Sequence, residues 1–218
     1  MTPLYERISP YLAKKGHGGS GERLFICDAV VRAADDRKIS SAEAGWLRET
    51  VHDRLRPYDT LREYVVRAIT PDLSHLGYGE RNDQFQAFRH RWLQHLCEEY
   101  ECQAVFDKVV KHLLTQKRRS KNKRGCCAYR SEGGGMCAVG CLISDKAYDP
   151  KIEGSIVREA IVLDKLAESG VPTYEKMRAL LTNLQYIHDQ RPIDLWKTDL
   201  QDLAKHHNLA WKDEHEAL

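Results

Sequence analysis

The sequence predicts a mainly α-helical protein built from two small helical lobes. Apolar residues recur at helical spacing along most of the chain, and alternation at period two never extends beyond four or five residues. Capping residues and prolines separate these runs. Because 218 residues suffice for two small domains, we predict an N-terminal helical lobe over residues 1–102 and a C-terminal helical lobe over residues 103–218.

The first two helices of the N-terminal lobe are indicated by periodicity and by a cap. Residues 24–34 place their apolar side chains at helical spacing and predict a mostly buried helix. Ser40 and Glu43 then stand at capping-box spacing, so that the serine oxygen and the glutamate can satisfy free amides of the next helix. Pro57 closes that helix.

The rest of the N-terminal lobe follows the same pattern. Thr60 and Glu63 repeat the capping spacing at the start of a third helix, which Pro71 stops. Residues 71–80 are rich in Pro and Gly and predict a loop. A longer amphipathic helix follows, whose apolar face carries Phe85, Phe88, Trp92, Leu93 and Leu96.

The C-terminal lobe is predicted to contain four helices. A boundary near residues 101–103 separates it from the amphipathic helix before it. Gly170 and Pro172 separate two of the four helices, and Pro192 suits the first turn of the last. The predicted helices cover residues 104–116, about 153–168, 173–189 and 192–207.

A basic and cysteine-rich segment interrupts the C-terminal lobe. The basic loop, residues 117–124, has the sequence KRRSKNKR and carries six positive charges in eight positions. Three glycines at 133–135 predict a turn with positive φ, and neither phosphate-binding glycine pattern is present there. We therefore predict a short irregular or hairpin segment near residues 126–143.

The order of motifs in the C-terminal half resembles a family of small proteins that is frequent in bacteriophage genomes and prophages. The resemblance covers roughly residues 104–210 and rests on FDKVVKHLLTQ, CAYR, GGGMCAVGCLI, YDPKIEG and LQYIHD. FICDAVVRAA and FRHRWLQHL, in the N-terminal half, are similar to a second and looser group of small phage proteins. The resemblance implies a phage or prophage product made in the bacterial cytoplasm. It implies no catalytic residue and no chemistry.

Composition excludes some classes of protein and leaves others open. The chain has 34 Lys+Arg and 32 Asp+Glu, so a net charge of +2 provides no global attraction to nucleic acid or to an anionic membrane. No stretch approaches the roughly 18 apolar residues of a membrane helix, and the N-terminus lacks a secretory core. Seven cysteines, an odd number, favour reduced thiols in a cytosolic protein.

A zinc site is one interpretation of the cysteine-rich segment. Its candidate ligands are Cys126, Cys127, Cys137 and Cys141, with His112 as a further donor. Their spacing differs from paired CxxC knuckles, since adjacent cysteines rarely chelate one ion together. The alternative is that Cys137 and Cys141 are small core residues. We expect no cofactor, with zinc kept as the alternative.

A reactive thiol is a second interpretation. Cys126 and Cys127 follow Arg124 closely, and nearby cations stabilise a thiolate. The sequence supplies no positioned base, because His188 and Asp189 are neighbours that do not face each other on a helix. Thiol-dependent catalysis therefore stays a second alternative.

The basic loop is the candidate site for binding a partner or a phosphate. Its cations are Lys117, Arg118, Arg119, Lys121, Lys123 and Arg124. They can bind nucleic acid in a salt-dependent way, and Tyr129 alone lies close enough to stack on a base. They can equally close a helix whose carbonyl end attracts cations.

These observations lead to one functional hypothesis and its rivals. We expect a binding protein that modulates a bacterial host protein, as an anti-defence inhibitor or host-takeover factor. The basic loop would steer it electrostatically to its partner, whereas residues 126–143 would be structural. A nucleic-acid-binding accessory protein is the first alternative. Neither a catalytic residue nor a membrane partner is expected.

Overall fold

The computed structural model describes residues 2–12, 22–55 and 78–217. These residues form eight α-helices and no strand, so the mainly α fold class is confirmed. The helices are α1 (Leu4–Leu12), α2 (Glu22–Asp35), α3 (Ser41–Leu55), α4 (Tyr78–Gln116), α5 (Ala160–Glu168), α6 (Glu175–Gln190), α7 (Trp196–His206) and α8 (Asp213–Glu216). No helix of this part of the chain has the length and apolar character needed to span a membrane.

The chain divides into two compact units, Thr2–Tyr100 and Glu101–Leu218. The division falls inside α4, which is continuous through residues 101–103, where the sequence indicated a break between two helices. The predicted helix that Thr60 caps lies outside the described residues, and so does most of the predicted loop 71–80. The last three residues of that loop are helical, because α4 already begins at Tyr78.

The N-terminal unit is held together by α1, α2 and α3 with the first part of α4. The predicted capping box is present: the Ser40 N–H donates to Glu43 Oε2 at 2.6 Å, and the Glu43 N–H donates to Ser40 Oγ at 3.2 Å. Arg7 of α1 adds a pair of hydrogen bonds to the same carboxylate. The fully buried side chains of this core include Leu4, Ile8, Ile26, Leu47, Leu55, Leu93 and Leu96.

Helix α1 was missed by the sequence reasoning. Its buried residues Leu4, Ile8 and Leu12 are spaced four apart, which is a helical signal. Pro10 lies inside the helix and is a signal against helical structure, since proline lacks the N–H of an interior helical residue. Packing of α1 against α2 overrides that penalty.

The C-terminal unit packs the second part of α4 against α6 and α7 through one apolar core. Phe106, Leu113, Leu184 and Trp196 are almost fully buried in it. Three of its predicted helices are present with shifted ends, and a short 3-10 turn, Ile193–Leu195, precedes α7. The fourth was predicted too long: α5 begins at Ala160, because Gly154 has a φ of 87° and the chain turns there.

Two consecutive hairpins connect α4 to the rest of the unit. The first hairpin, residues 120–128, is closed by Ala128 N–H to Ser120 O at 3.0 Å and by a bridge between Lys121 and Cys127. The second hairpin, residues 129–137, is closed by Cys137 N–H to Tyr129 O at 3.2 Å. Hairpin structure therefore starts six residues before the predicted segment 126–143.

Glycines fit the second hairpin to the turn that follows it. Gly134 has a φ of 72°, which a glycine adopts without strain. A Cβ on Gly140 would lie 2.0 Å from the carbonyl oxygen of Tyr129. The backbones at these two positions can approach this closely only because Gly140 has no side chain.

Candidate functional site

The basic loop is largely exposed, and five of its six cations lie at the surface. Arg119 is the exception and is half-buried. Its Nε donates to the carbonyl oxygen of His188 at 3.1 Å, and its Nη2 donates to that of Arg191 at 2.7 Å. A guanidinium at the carbonyl end of α6 stabilises the helix. Arg119 thus attaches the loop to the core, and the exposed cations are Lys117, Arg118, Lys121, Lys123 and Arg124.

Local hydrogen bonds order the tip of the basic loop. Asn122 Oδ1 accepts from the N–H groups of Arg124 at 2.9 Å and Cys126 at 3.1 Å. Asn and Asp side chains commonly stabilise tight turns in this way. Lys123 pairs with Glu132 of the second hairpin, with 3.1 Å between Nζ and Oε1. The cations are therefore displayed on a frame with a defined conformation.

Beneath the first hairpin, a thiol, a carboxylate and an imidazole converge. His188 Nδ1 donates to Asp189 Oδ1 at 2.7 Å, so the expectation that these neighbours do not face each other was wrong. Asp189 Oδ2 accepts from Gln185 Nε2 at 2.8 Å. The Cys127 thiol donates to the same carboxylate. His188 is fully buried, and its Nε2 accepts the backbone N–H of Ser120 at 3.0 Å. The group joins the first hairpin to the end of α6.

The electrostatics of this group keep the thiol protonated. Burial raises the pKa of Cys127 to about 11, and the Asp189 carboxylate adds to that effect. Burial alone would also raise the pKa of Asp189, but hydrogen bonds from His188, Gln185 and Cys127 outweigh it and lower that pKa. At neutral pH the carboxylate is charged and the thiol is a hydrogen-bond donor.

The order of these three side chains disfavours nucleophilic catalysis. A catalytic thiol needs a base within hydrogen-bond reach to take its proton. Here Asp189 lies between Cys127 and His188, and the lone pair of His188 Nε2 is already used by the Ser120 N–H. The arrangement suits a structural link between hairpin and helix.

The hydrogen bonds of His188 also bear on metal binding. The ligand atoms of Cys127, His188 and Asp189 lie within 4.8 Å of one another, close enough to share an ion. An imidazole that binds a metal through one nitrogen normally keeps a proton on the other and donates it. At His188 that proton would point at the Ser120 N–H, so the hydrogen-bonded structure opposes a metal ion.

The other cysteines proposed as zinc ligands have separate surroundings. Cys126 is exposed, Cys137 is fully buried and accepts the Gly140 N–H at 3.1 Å, and the Cys141 thiol donates to the Ala138 carbonyl at 3.2 Å. Burial raises the pKa of Cys141 to about 12. None of these three belongs to a group of converging ligand atoms among the described residues.

His112, the further donor proposed for zinc, serves a structural contact instead. Its Nε2 lies 2.8 Å from the carbonyl oxygen of Met136, so it links α4 to the second hairpin. Burial lowers the pKa of His112. The neutral ring can donate to that carbonyl from Nε2 without placing a charge in the interior.

A second polar group, which the sequence reasoning missed, lies at the C-terminal end. His215 is buried, and its Nε2 lies 3.3 Å from Asp107 Oδ1 without hydrogen-bond geometry. Lys212 donates from Nζ to Asp107 Oδ2. Lys108 and Lys111 line the adjoining cavity of about 520 Å³ together with Asp107, Glu214 and His215, whose ligand atoms lie within 4.8 Å of one another. Three lysines beside these two carboxylates oppose a cation there, and the contacts of Lys212 and His215 with Asp107 instead dock α8 onto α4.

Tyr129, the one ring near enough in sequence to stack on a base, is not available as a stacking platform. The ring is only 5% exposed, and its hydroxyl donates to Ser155 O at 2.9 Å. Its backbone N–H donates to Glu153, whose carboxylate also accepts from Arg130 N–H and Tyr148 Oη. The half-buried Glu153 thus fixes the backbone where the second hairpin begins, and the Tyr129 ring packs into the core of the unit.

Large apolar side chains are exposed elsewhere on this unit. Tyr186 is 57% exposed, Ile193 41% and Leu195 40%. Ile156 at 66% and Ile161 at 36% are exposed near the start of α5. The sequence signal for Tyr186 was its position three residues from Asp189, on the polar side of an amphipathic helix.

Comparison with known proteins adds no precedent for these features. No protein-family model, no curated protein and no solved structure matches the chain. The function is therefore argued from geometry.

Proposed function

We propose that this chain is a phage-encoded binding protein that acts in the bacterial cytoplasm and changes the activity of a host protein, as an anti-defence inhibitor or host-takeover factor. Its basic loop engages an acidic surface of that partner. The motif order that resembles small phage proteins supports the phage origin. The geometry of the loop supports the binding role.

One observation carries the proposal: the basic loop is ordered before any partner arrives. Its tip is closed by Asn122, its base is closed by the Lys121–Cys127 bridge, and Arg119 ties it to α6. Ordering a flexible side chain on binding costs about 0.5–1.5 kcal/mol, and flexible loops cost more. A loop that is already ordered avoids part of that cost, and its cations speed association with an acidic surface.

A protein partner is favoured over nucleic acid by the surroundings of the loop. Single-strand binding proteins combine basic grooves with exposed aromatic platforms. Tyr129, the ring nearest to the loop in sequence, is buried, and Tyr186 is the one large aromatic side chain among the described residues that is clearly exposed. A single ring is too few to stack successive bases. Exposed aliphatic side chains such as Ile193 and Leu195 are typical of protein interfaces rather than of phosphate contacts.

The experiment is gentle purification of the tagged chain from phage-infected or prophage-bearing cells, followed by native mass spectrometry and absorbance at 260 nm. We expect one host protein at fixed stoichiometry. Affinity for that protein is then measured at about 0.05 M and about 0.5 M salt, because surface charges are screened over this range. The loop variant carries Lys121→Gln and Arg124→Gln, which leave Arg119 in place.

A matched control carries Lys146→Gln and Lys151→Gln, two exposed lysines outside the loop. We expect the loop variant to weaken binding roughly tenfold at low salt and less at high salt, while the control stays near wild type. If the loop variant and the control variant bind the partner equally well at both salt concentrations, the basic loop does not contribute to binding. Co-purified nucleic acid without a host protein would establish the rival function.

A further inference from the structure

Tyr186 is an exposed side chain of α6, the helix to which the first hairpin is attached. Residues three apart on a helix are surface neighbours, so Tyr186 and Asp189 of α6 are adjacent. Asp189 accepts the Cys127 thiol, and Cys127 is bridged to Lys121. This chain of contacts links the exposed ring of Tyr186 to Lys121 of the basic loop through Asp189 and Cys127.

The carbonyl oxygen of Arg191 brings a second exposed apolar group to the same place. It accepts from Arg119 Nη2 of the basic loop at 2.7 Å and from Trp196 Nε1 at 3.0 Å. The 3-10 turn between Arg191 and Trp196 is therefore held against the base of the loop. Ile193 and Leu195 are the exposed apolar side chains of that turn.

We propose that Lys121, Arg124, Tyr186, Ile193 and Leu195 form one composite surface, which docks a protein segment with acidic residues next to aromatic or aliphatic ones. This inference rests on the proposed function and names the chemistry of the partner. The cations of the composite surface select for acidic groups, and its apolar members exclude a partner that offers charge alone.

Charge complementarity also orients the partner on the composite surface. Asp194 lies between Ile193 and Leu195 and is exposed, so acidic groups are repelled from that end. Lys121 and Arg124 lie at the other end, on the hairpin. The acidic residues of the partner therefore face the hairpin, and its apolar residues face Tyr186 and the turn. Apolar contacts are expected to slow dissociation, whereas the cations speed association.

The probe for this inference is a display library of random peptides, selected on the immobilised full-length protein. We expect enriched peptides to combine Asp or Glu with aromatic or aliphatic residues. Their affinity is measured on a charge variant, Lys121→Glu with Arg124→Glu, and on an apolar variant, Tyr186→Ser with Ile193→Ser and Leu195→Ser. Each variant should weaken binding by about tenfold or more, because both kinds of contact are used.

Two matched controls separate this surface from general effects. Lys146→Glu with Lys151→Glu makes the same change of charge elsewhere, and Ile156→Ser with Ile161→Ser removes exposed apolar groups elsewhere. Both controls should bind the peptides like the wild type. Circular dichroism of every variant must match the wild type for a loss of binding to count.

The remaining outcomes contradict the composite surface in distinguishable ways. Purely acidic peptides that depend on the cations but not on Tyr186, Ile193 and Leu195 would overturn it and leave the proposed function standing. Selected peptides that depend on neither group would overturn the composite surface and remove the basic loop from binding. A parallel selection with random single-stranded DNA that yields tighter, cation-dependent ligands would overturn the protein partner altogether.

Discussion

At the scale of single residues, Asp189 accounts for how the first hairpin is attached to α6. Its carboxylate accepts from Cys127, His188 and Gln185, three donors that come from different positions around it. A partly buried carboxylate keeps its charge when donors of this number surround it. Burial raises the pKa of Cys127, and the charge of Asp189 adds to that effect. Asp189 therefore fixes the geometry of the thiol and contributes to its low reactivity.

Labelling rates test this role of Asp189. In a Cys126→Ser background, which removes the exposed neighbour, Asp189→Asn should speed alkylation of Cys127 by iodoacetamide at pH 8. The expected increase is about tenfold, since removing an adjacent negative charge shifts a thiol pKa of about 11 downward and raises the thiolate fraction. Modification of Cys127 is followed over time by mass spectrometry of its peptide.

The control is Asp194→Asn, which removes an exposed acid from the nearby turn and should leave the rate unchanged. Equal rates for wild type and Asp189→Asn, with both proteins folded, would show that the carboxylate does not govern the thiol. Fast labelling of wild-type Cys127 at neutral pH would instead support the thiol-dependent alternative.

At the scale of elements, the second hairpin and the 3-10 turn Gly140–Leu142 depend on one close approach of backbones. The hairpin returns the chain so that the Tyr129 carbonyl meets Gly140, and the Cys137 N–H donates to that same carbonyl. The helices on either side tolerate exchange of surface residues more readily. A hairpin whose backbone touches another backbone segment does not tolerate an added side chain at that contact.

Alanine substitutions at two glycines measure this difference. Gly140→Ala should destabilise the protein by about 3 kcal/mol or more, because the new Cβ would lie 2.0 Å from Tyr129 O and 2.8 Å from its carbonyl carbon. Gly45→Ala in α3 should stabilise it by about 0.5–1 kcal/mol, since nothing lies within 4 Å and alanine favours a helix. Urea unfolding followed by circular dichroism gives both values. A Gly140→Ala protein as stable as the wild type would contradict this packing.

Single-sequence reasoning recovered most elements and missed those decided by their neighbours. The capping of α3 by Ser40 and Glu43 was predicted because both residues lie within one turn of each other. Helix α5 was predicted to begin too early because glutamate at position 153 is compatible with a helix. In the structure its carboxylate instead accepts hydrogen bonds from the backbone N–H groups of Tyr129 and Arg130. The burial of Tyr129 accompanies the same hydrogen bonds to Glu153, and these join residues too far apart for a local pattern to show.

At the scale of the whole molecule, the two units have their own cores, and the C-terminal unit holds the candidate surface. Burial lowers the pKa of two histidines in that unit, His112 and His207. A group whose folded pKa is lowered stabilises the fold fully above its unfolded pKa. That stability is lost as the pH falls from about 6.5, the unfolded value. Protonated Asp189 adds a further loss only below about pH 4.

His112→Gln tests the part of this acid sensitivity that comes from His112. Glutamine keeps an N–H donor near the position of Nε2 and can retain the contact to Met136 O, but it does not titrate. The variant should therefore lose less stability than the wild type between pH 7 and pH 5, measured by urea unfolding at each pH. The exposed His52→Gln, in α3, serves as the control. An identical pH profile for His112→Gln and wild type would exclude His112 as the sensitive group.

The sequence by itself determined the helical class, the capping of α3, the turn at the three glycines and the cluster of cations at 117–124. These features depend on residues a few positions apart, so local propensity and spacing suffice for them. Only the tertiary structure decided that Cys127 meets His188 and Asp189, that Tyr129 is buried, and that Arg119 of the basic loop donates to the carbonyl oxygens of His188 and Arg191. Those contacts join residues about 60 or more positions apart, or depend on the direction in which a hairpin folds back. Packing and buried hydrogen bonds set that direction, and no local pattern encodes it.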